Sequence, residues 1–137
     1  MVFFAFILLL WYYFFGDWMK LLNTNEVIIK KSKFIAYFYL INDTNEANEV
    51  LELLKKEHKH ARHIPYAYKL KNTAKKSDDK EPSGTCGTPL FTLLERNNLD
   101  SNLIAVVRYF GGVKLGAGNL MRAYLNTAND CIKKYYE

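Results

Sequence analysis

Residues 108–118 read Arg-Tyr-Phe-Gly-Gly-Val-Lys-Leu-Gly-Ala-Gly, so four glycines and two cations occupy eleven positions. The preceding residues 103–107 are apolar throughout, as in a strand that is buried on both faces. The following residues 120–135 have apolar side chains at helical spacing. The stretch therefore predicts a tight connection from a strand end to a helix start. Backbone N–H groups are unpaired at such a start, and the helix dipole there favours an anion.

Two interpretations of this glycine-rich segment remain open from the sequence alone. In the first, the glycines only permit a tight turn and close packing, and Arg108 pairs with an acidic loop elsewhere in the chain. In the second, Arg108, Lys114 and Arg122 surround the N–H groups of the helix start and contact RNA phosphate or acidic side chains. The glycines match neither the P-loop nor the dinucleotide-binding pattern, so phosphate binding rests on position and charge.

The flanking patterns predict the rest of one domain. Asp43 and Glu46 resemble a capping box at the start of an amphipathic helix, and Thr88 is the predicted N-cap of a short helix over residues 90–96. We expect the α+β class, as a two-layer sandwich in which helices cover one face of a mainly antiparallel, four-stranded sheet. Three further segments are rich in strand formers: residues 26–31, 33–41 and 66–71.

Residues 72–87 form a predicted long loop with three carboxylates within four positions. Such a cluster can bind a hard cation or act as acid and base, but its spacing is not that of a calcium loop. The alternative is a turn in which Asp and Ser side chains bond to nearby backbone, and we favour it. We therefore predict no metal site and no catalytic residue in this acidic loop. Its candidate residues are Asp78, Asp79, Glu81 and Ser83.

Length and composition indicate one folded domain. The chain has 137 residues, of which 50% are hydrophobic, and this excludes a disordered chain. The net charge of +5 is compatible with RNA, a ribosome or an acidic protein as partner. Cys86 and Cys131 lack the spacing of a metal site or a disulfide framework, which indicates reduced thiols in the cytoplasm. We expect His58, His60 and His63 to be hydrogen-bonded or solvent-facing.

The first 18 residues differ from the rest of the chain. Residues 1–16 have no charged side chain and many aromatic ones. The run is just short of the roughly 20 residues of a membrane-spanning helix. Three interpretations are open: Met19 is the natural start, the segment is a membrane anchor, or it packs on the domain. We expect an apolar leader over residues 1–18 and a single domain over residues 19–137, with membrane contact only if the leader inserts.

Four segments together resemble the IMPACT family, which includes the bacterial YigZ-type proteins. They are residues 31–36, 66–69, 77–87 and 107–118, and the resemblance extends over residues 25–134. Lys80 stands where the family usually has glycine, and Thr88 stands where it usually has a basic residue. Bacterial members have a second, C-terminal domain, so the chain resembles their N-terminal module alone.

The resemblance implies a fold similar to domain IV of elongation factor G and to the GHMP kinases. It also implies a role in translational control. Eukaryotic members of the family resemble inhibitors of amino-acid-starvation signalling. Such inhibitors compete for the ribosome-associated protein that activates the kinase of this signalling pathway. Kinship with kinases is an analogy of fold, so the resemblance identifies no catalytic residue.

We therefore expect a cytoplasmic, non-catalytic binding module that contacts the ribosome, RNA or a translation-associated protein, with no cofactor and no DNA. The alternative is a small enzyme that acts on a phosphorylated substrate through the acidic loop and the glycine-rich turn. The predicted binding residues are Arg108, Gly111, Gly112, Lys114, Gly116, Gly118 and Arg122.

Overall fold

The computed structural model describes residues 19–137, which form five strands and three helices. In chain order these are β1 (Lys20–Ile29), β2 (Ser32–Leu40), α1 (Thr44–Glu57), β3 (Tyr66–Lys69), β4 (Ala74–Ser77), α2 (Gly87–Arg96), β5 (Asn102–Tyr109) and α3 (Ala117–Tyr136). The predicted leader, residues 1–18, lies outside the described residues. Within residues 19–137, no helix combines the length and the apolar character that are needed to cross a membrane.

Strand β5 is the centre of the sheet. The strands pair antiparallel in the order β1-β2-β5-β3-β4. Strand β5 pairs with β2 along its whole length and with β3 over its first half. Its residues are buried from Asn102 to Arg108. A strand can be buried at consecutive positions only when both faces of the sheet are covered, because successive side chains point to opposite faces.

Two hydrophobic cores cover the two faces. Phe34, Ile104 and Val106 pack with α2 and α3 on one face. Leu103 and Val107 pack with α1 on the other face. Full burial of an apolar side chain of this size contributes about 1.5–3 kcal/mol. The run of apolar residues in β5 therefore stabilises both layers of helices at once.

The α+β class and the antiparallel sheet are confirmed, and the structure differs from the prediction in two details. The sheet has five strands rather than four, because β4 lies within the predicted long loop. The sequence of β4, Ala-Lys-Lys-Ser, does not alternate between apolar and polar residues. This edge strand has mostly exposed side chains, so the pattern that predicts a half-buried strand is missing. Helices also cover both faces of the sheet rather than one, which explains why β5 has no polar alternation.

Gly111, just after β5, packs closely against the turn between β1 and β2, and a substitution tests this contact. A Cβ atom on Gly111 would lie 2.0 Å from the carbonyl oxygen of Lys31, in the turn between β1 and β2. We predict that Gly111→Ala lowers the free energy of unfolding by at least about 1–3 kcal/mol, the usual cost of overpacking. Urea denaturation measures this change.

Gly118→Ala is the matched control for this experiment. Outside the helix backbone, a Cβ on Gly118 would meet the end of the flexible Arg122 side chain at 3.6 Å, and alanine favours a helix over glycine, so stability should stay unchanged or rise. Equal unfolding midpoints for the two variants would contradict the close approach of Gly111 to the β1–β2 turn.

Candidate functional site

A cavity of about 280 Å³ is lined by both the acidic loop (residues 72–87) and the glycine-rich segment (residues 108–118). Its charged lining residues are Arg62, Glu81, Arg108 and Lys114, and His63 lines it as well. The start of helix α3 also borders the cavity. The sequence left open whether these two segments meet, and the structure brings them together at one site.

Glu81 joins the segments that surround this cavity. Its Oε2 accepts hydrogen bonds from Arg108 Nη1 at 2.7 Å and from the Tyr124 hydroxyl at 2.5 Å. Its Oε1 lies 3.3 Å from His63 Nε2. Burial and the hydrogen bond to Glu81 raise the pKa of the Tyr124 hydroxyl, so Tyr124 remains a donor. One carboxylate from the acidic loop thus connects β5, α3 and the segment before β3.

Arg108 is the buried cation that balances Glu81, and the two residues are only 6% and 8% exposed. The guanidinium carbon of Arg108 lies 5.8 Å from the ring centre of Phe34 and 5.7 Å from that of Phe110. These distances are within the range of cation–π attraction. Its Nε is buried and has no hydrogen-bond partner among the described residues. Arg108 therefore pairs with the acidic loop and is not a cation of the open surface.

Asp78 caps helix α2 although it lies outside that helix. Its carboxylate accepts hydrogen bonds from the backbone N–H groups of Gly84, Cys86 and Gly87, at 2.8 to 3.0 Å. Burial alone would raise the pKa of the Asp78 carboxyl, but the three N–H donors outweigh it and hold the pKa below its ordinary value. The predicted N-cap, Thr88, was wrong because α2 begins at Gly87 and Asp78 supplies the acceptor.

Asp79 and Ser83 complete the acidic loop. Asp79 Oδ2 accepts a hydrogen bond from the Ile64 N–H at 2.7 Å, which holds the loop against the segment that contains His63. Ser83 is exposed. Within residues 19–137, no three His, Cys, Asp or Glu side chains are grouped as a metal ion requires. Asp78 thus bonds to backbone at the end of its own loop, whereas Asp79 bonds to backbone of the segment before β3.

The four glycines of the glycine-rich segment differ in their surroundings. Gly111 packs against Lys31. Gly112 and Gly116 have φ values of +91° and +80°, which favour glycine, and a Cβ on either would meet nothing within 4 Å. Gly116 is the N-cap of α3 and offers no side-chain acceptor to the helix, and Gly118 lies in the first turn. Both interpretations of the sequence therefore have support: Gly111 serves packing, whereas Gly116 leaves the helix start uncovered.

Two of the predicted cations are exposed near this helix start. Lys114 is exposed and lines the cavity. Arg122 is exposed and donates a hydrogen bond to Asn119 Oδ1 at 2.7 Å, but it does not line the cavity. Lys114 and Arg122 thus lie on the surface, as the sequence suggested, whereas Arg108 lies beneath it.

Arg62 and His63 are site residues that the sequence did not indicate. Arg62 is exposed, and its guanidinium carbon lies 5.1 Å from the ring centre of Phe110. Both residues reach the cavity because His63 pairs with Arg108 in an isolated β-bridge. A contact between residues so far apart in the chain has no local signal in a single sequence.

The other two histidines agree with the prediction that they are hydrogen-bonded or solvent-facing. His58 lies between two tyrosines, with Nε2 2.7 Å from the Tyr37 hydroxyl and Nδ1 2.6 Å from the Tyr109 hydroxyl. Burial lowers the pKa of His58. His60 is exposed.

Comparison with known proteins agrees with the four motifs and with the fold. The family model of the Impact N-terminal domain matches residues 30–132, well over half of the chain. The chain belongs to the IMPACT family. It is 40% identical over 109 residues to IMPACT family member YvyE of Bacillus subtilis (strain 168), covering 77% of this chain and 50% of YvyE. It is 32% identical over 111 residues to YigZ of Escherichia coli (strain K12), covering 77% and 54%.

This IMPACT family chain therefore spans about half the length of the curated relatives it matches. A crystal structure of a hypothetical protein has a TM-score of 0.77 and 31% identity, over 85% of this chain and 60% of that chain. The two-domain translational regulator Yih1 has a TM-score of 0.55 and 21% identity, over 88% of this chain and 48% of that chain. At that identity, the likeness to Yih1 is one of fold.

The cap formed by Asp78 predicts a pH-dependent contribution to stability. Asp78→Ala should lower the free energy of unfolding by about 1–3 kcal/mol at neutral pH, because three backbone N–H donors, two of them in partly buried bonds, lose their acceptor. The pKa of Asp78 is lowered in the folded state. The stability difference should therefore be complete above the unfolded-state pKa of about 3.9 and shrink as the pH falls through the lower folded-state pKa.

Urea denaturation between neutral and acidic pH measures this difference. Asp100→Ala is the control, since Asp100 is exposed and makes no hydrogen bond or ion pair within residues 19–137. A difference for Asp78→Ala that stays constant down to the most acidic pH would contradict the role of the carboxylate charge.

Proposed function

We propose that the chain is a non-catalytic binding module of translational regulation, acting in the cytoplasm, and that it contacts single-stranded RNA. Membership of the IMPACT family and the fold shared with the translational regulator Yih1 support the role in translation. The net charge of +5 suits a polyanionic partner. The observation on which the RNA contact rests is a group of exposed cations around the start of α3.

These cations are Arg62, Lys114 and Arg122, which we term the cationic rim. All three are exposed, and none has a carboxylate within 4.0 Å among the described residues. Their charges are therefore available to a ligand, because no neighbouring acid neutralises them. RNA phosphates are the partners that such uncompensated cations favour.

Apolar side chains are exposed beside the rim. Phe110 is 39% exposed and Val113 is 40% exposed, and both belong to the glycine-rich segment. An aromatic ring among cations is the usual arrangement for single-stranded nucleic acid, because bases stack on the ring while cations contact the backbone. We favour RNA over an acidic protein because stacking of bases uses the exposed ring and the neighbouring cations together.

An enzyme acting on a phosphorylated substrate is the second candidate, and the pair His63–Glu81 in the cavity favours it. However, Glu81 already accepts from Arg108 and Tyr124, so its carboxylate is committed to holding the fold. Burial raises the pKa of both Cys86 and Cys131 to about 12, which leaves neither thiol ionised at neutral pH. These contacts favour a binding module over a nucleophilic enzyme.

The cationic rim predicts a salt-dependent affinity for RNA. The triple variant Arg62→Ala, Lys114→Ala, Arg122→Ala should bind a fluorescent oligouridylate more weakly than the unmodified chain. The slope of log affinity against log salt should flatten by about 2, at about 0.7 for each phosphate that the variant no longer neutralises. Fluorescence anisotropy at several salt concentrations measures both quantities.

The control variant removes the same charge from another part of the surface. Lys56 lies at the end of α1, Lys59 just after it and Lys71 just after β3. All three are exposed and have no carboxylate within 4.0 Å among the described residues. Their replacement by alanine should leave the salt slope nearly unchanged. If the two triple variants change the affinity and the salt slope equally, RNA is attracted by net charge alone, and the proposed contact at the rim is wrong. Loss of ribosome co-sedimentation with intact oligouridylate binding in the rim variant would point to a protein partner and overturn the RNA contact.

A further inference from the structure

The start of helix α3 has backbone N–H groups without a partner in the helix, and this helix start borders the cavity. The first hydrogen bond of this helix runs from the Leu120 N–H to the Gly116 carbonyl. The N–H groups of Ala117, Gly118 and Asn119 therefore precede the helical ladder, and Gly116 provides no side-chain cap for them. Gly116 and Ala117 line the cavity. Donors at such a position, in a helix of 20 residues, suit an anion.

A second and independent observation comes from Arg108. This residue lines the same cavity and is only 6% exposed, yet its Nε has no hydrogen-bond partner among the described residues. Its link to Glu81 uses Nη1. A guanidinium has five N–H donors, and within residues 19–137 no hydrogen bond uses Nη2 of Arg108 either. Because Arg108 lines the cavity and its Nη2, unlike its Nε, is not fully buried, Nη2 is the donor that an anion in the cavity can reach.

The charges around the cavity indicate which anion fits. Arg62, Arg108 and Lys114 contribute three positive charges and Glu81 one negative charge, which leaves +2 with His63 counted as neutral. A phosphate monoester has a charge of about −1.5 to −2 at neutral pH, whereas a carboxylate has only one negative charge. The volume of about 280 Å³ lies near the lower end of small-ligand pockets, so it admits one such group and part of the molecule attached to it.

We propose that the cavity at the start of α3 binds one phosphate monoester, which the N–H groups of the first helical turn, Lys114 and Arg62 hold above the Glu81–Arg108 pair. The group can belong to a free nucleotide or to the 5′-phosphate end of an RNA. The proposal goes beyond RNA contact by the cationic rim, because it assigns a terminal phosphate, and not a diester backbone, to the cavity.

Calorimetric titration with adenosine 5′-monophosphate tests this site, with adenosine as the ligand that lacks the phosphate. We expect saturable binding of the monophosphate and none of adenosine. Ala117→Pro deletes one N–H donor at the first helical position, which tolerates proline. It should weaken the affinity about tenfold, the usual effect of losing a hydrogen bond to a charged group.

Thr44→Pro is the matched control. Thr44 is the first residue of α1, and its preceding residue Asp43 is extended, as a residue before proline should be. This variant should bind the monophosphate as the unmodified chain does. If Ala117→Pro does not fold, Lys114→Met should show the same loss of about one power of ten, because it removes the ammonium group and keeps the aliphatic stem.

Oligouridylates with a 5′-phosphate or a 5′-hydroxyl distinguish the two sources. Tighter binding of the phosphorylated form, lost in Ala117→Pro, assigns the site to RNA ends. Equal binding of the two forms, together with binding of the monophosphate, assigns it to free nucleotides. Equal affinity for adenosine and its monophosphate, or an unchanged monophosphate affinity in both Ala117→Pro and Lys114→Met, would overturn the proposal. The rim variant shares Arg62 and Lys114 with this site, so its oligouridylate binding is measured with the 5′-hydroxyl form, which lacks the terminal phosphate. The two proposals can then fail independently.

Discussion

The buried ion pair between Glu81 and Arg108 is the constraint on which the site depends. Removing a carboxylate and a guanidinium from water costs several kcal/mol for each ion, and their attraction offsets this only when further hydrogen bonds satisfy both groups. Tyr124 donates to the same carboxylate, and His63 lies beside its second oxygen. The cluster therefore holds the acidic loop, β5, α3 and the segment before β3 in one arrangement.

The same ion pair determines the electrostatic character of the cavity. Glu81 is the only carboxylate among the described residues that line it, and its oxygens face Arg108, Tyr124 and His63. The positive charges of Arg62 and Lys114 then remain uncompensated beside the open start of α3. The Glu81–Arg108 pair thus holds the fold and also leaves a cavity that favours anions. The structural and the binding interpretations of the glycine-rich segment are therefore compatible.

The elements of the fold that could be predicted are those whose pattern lies in residues adjacent in the sequence. Residues 103–107 had no polar alternation, and the helix after Asp43 had both its cap and its apolar spacing, so each could be assigned from neighbouring residues. Strand β4 could not be assigned, since Ala-Lys-Lys-Ser is held by pairing with β3 and not by apolar burial. The site was only partly predictable for the same reason. Arg62 and His63 join it through a β-bridge to Arg108, a contact that a single sequence does not encode locally.

The most direct test of this account is a double-mutant cycle at the ion pair. Glu81→Gln keeps an acceptor for Tyr124, and Arg108→Met keeps an aliphatic side chain while it removes the guanidinium. Urea denaturation should show that each single variant loses about 3–5 kcal/mol, because one buried charge is left unpaired. The double variant should lose less than the sum, with a coupling free energy of about 1–3 kcal/mol. Additive losses, or single losses within about 0.5 kcal/mol of zero as for surface substitutions, would contradict the central role of this pair.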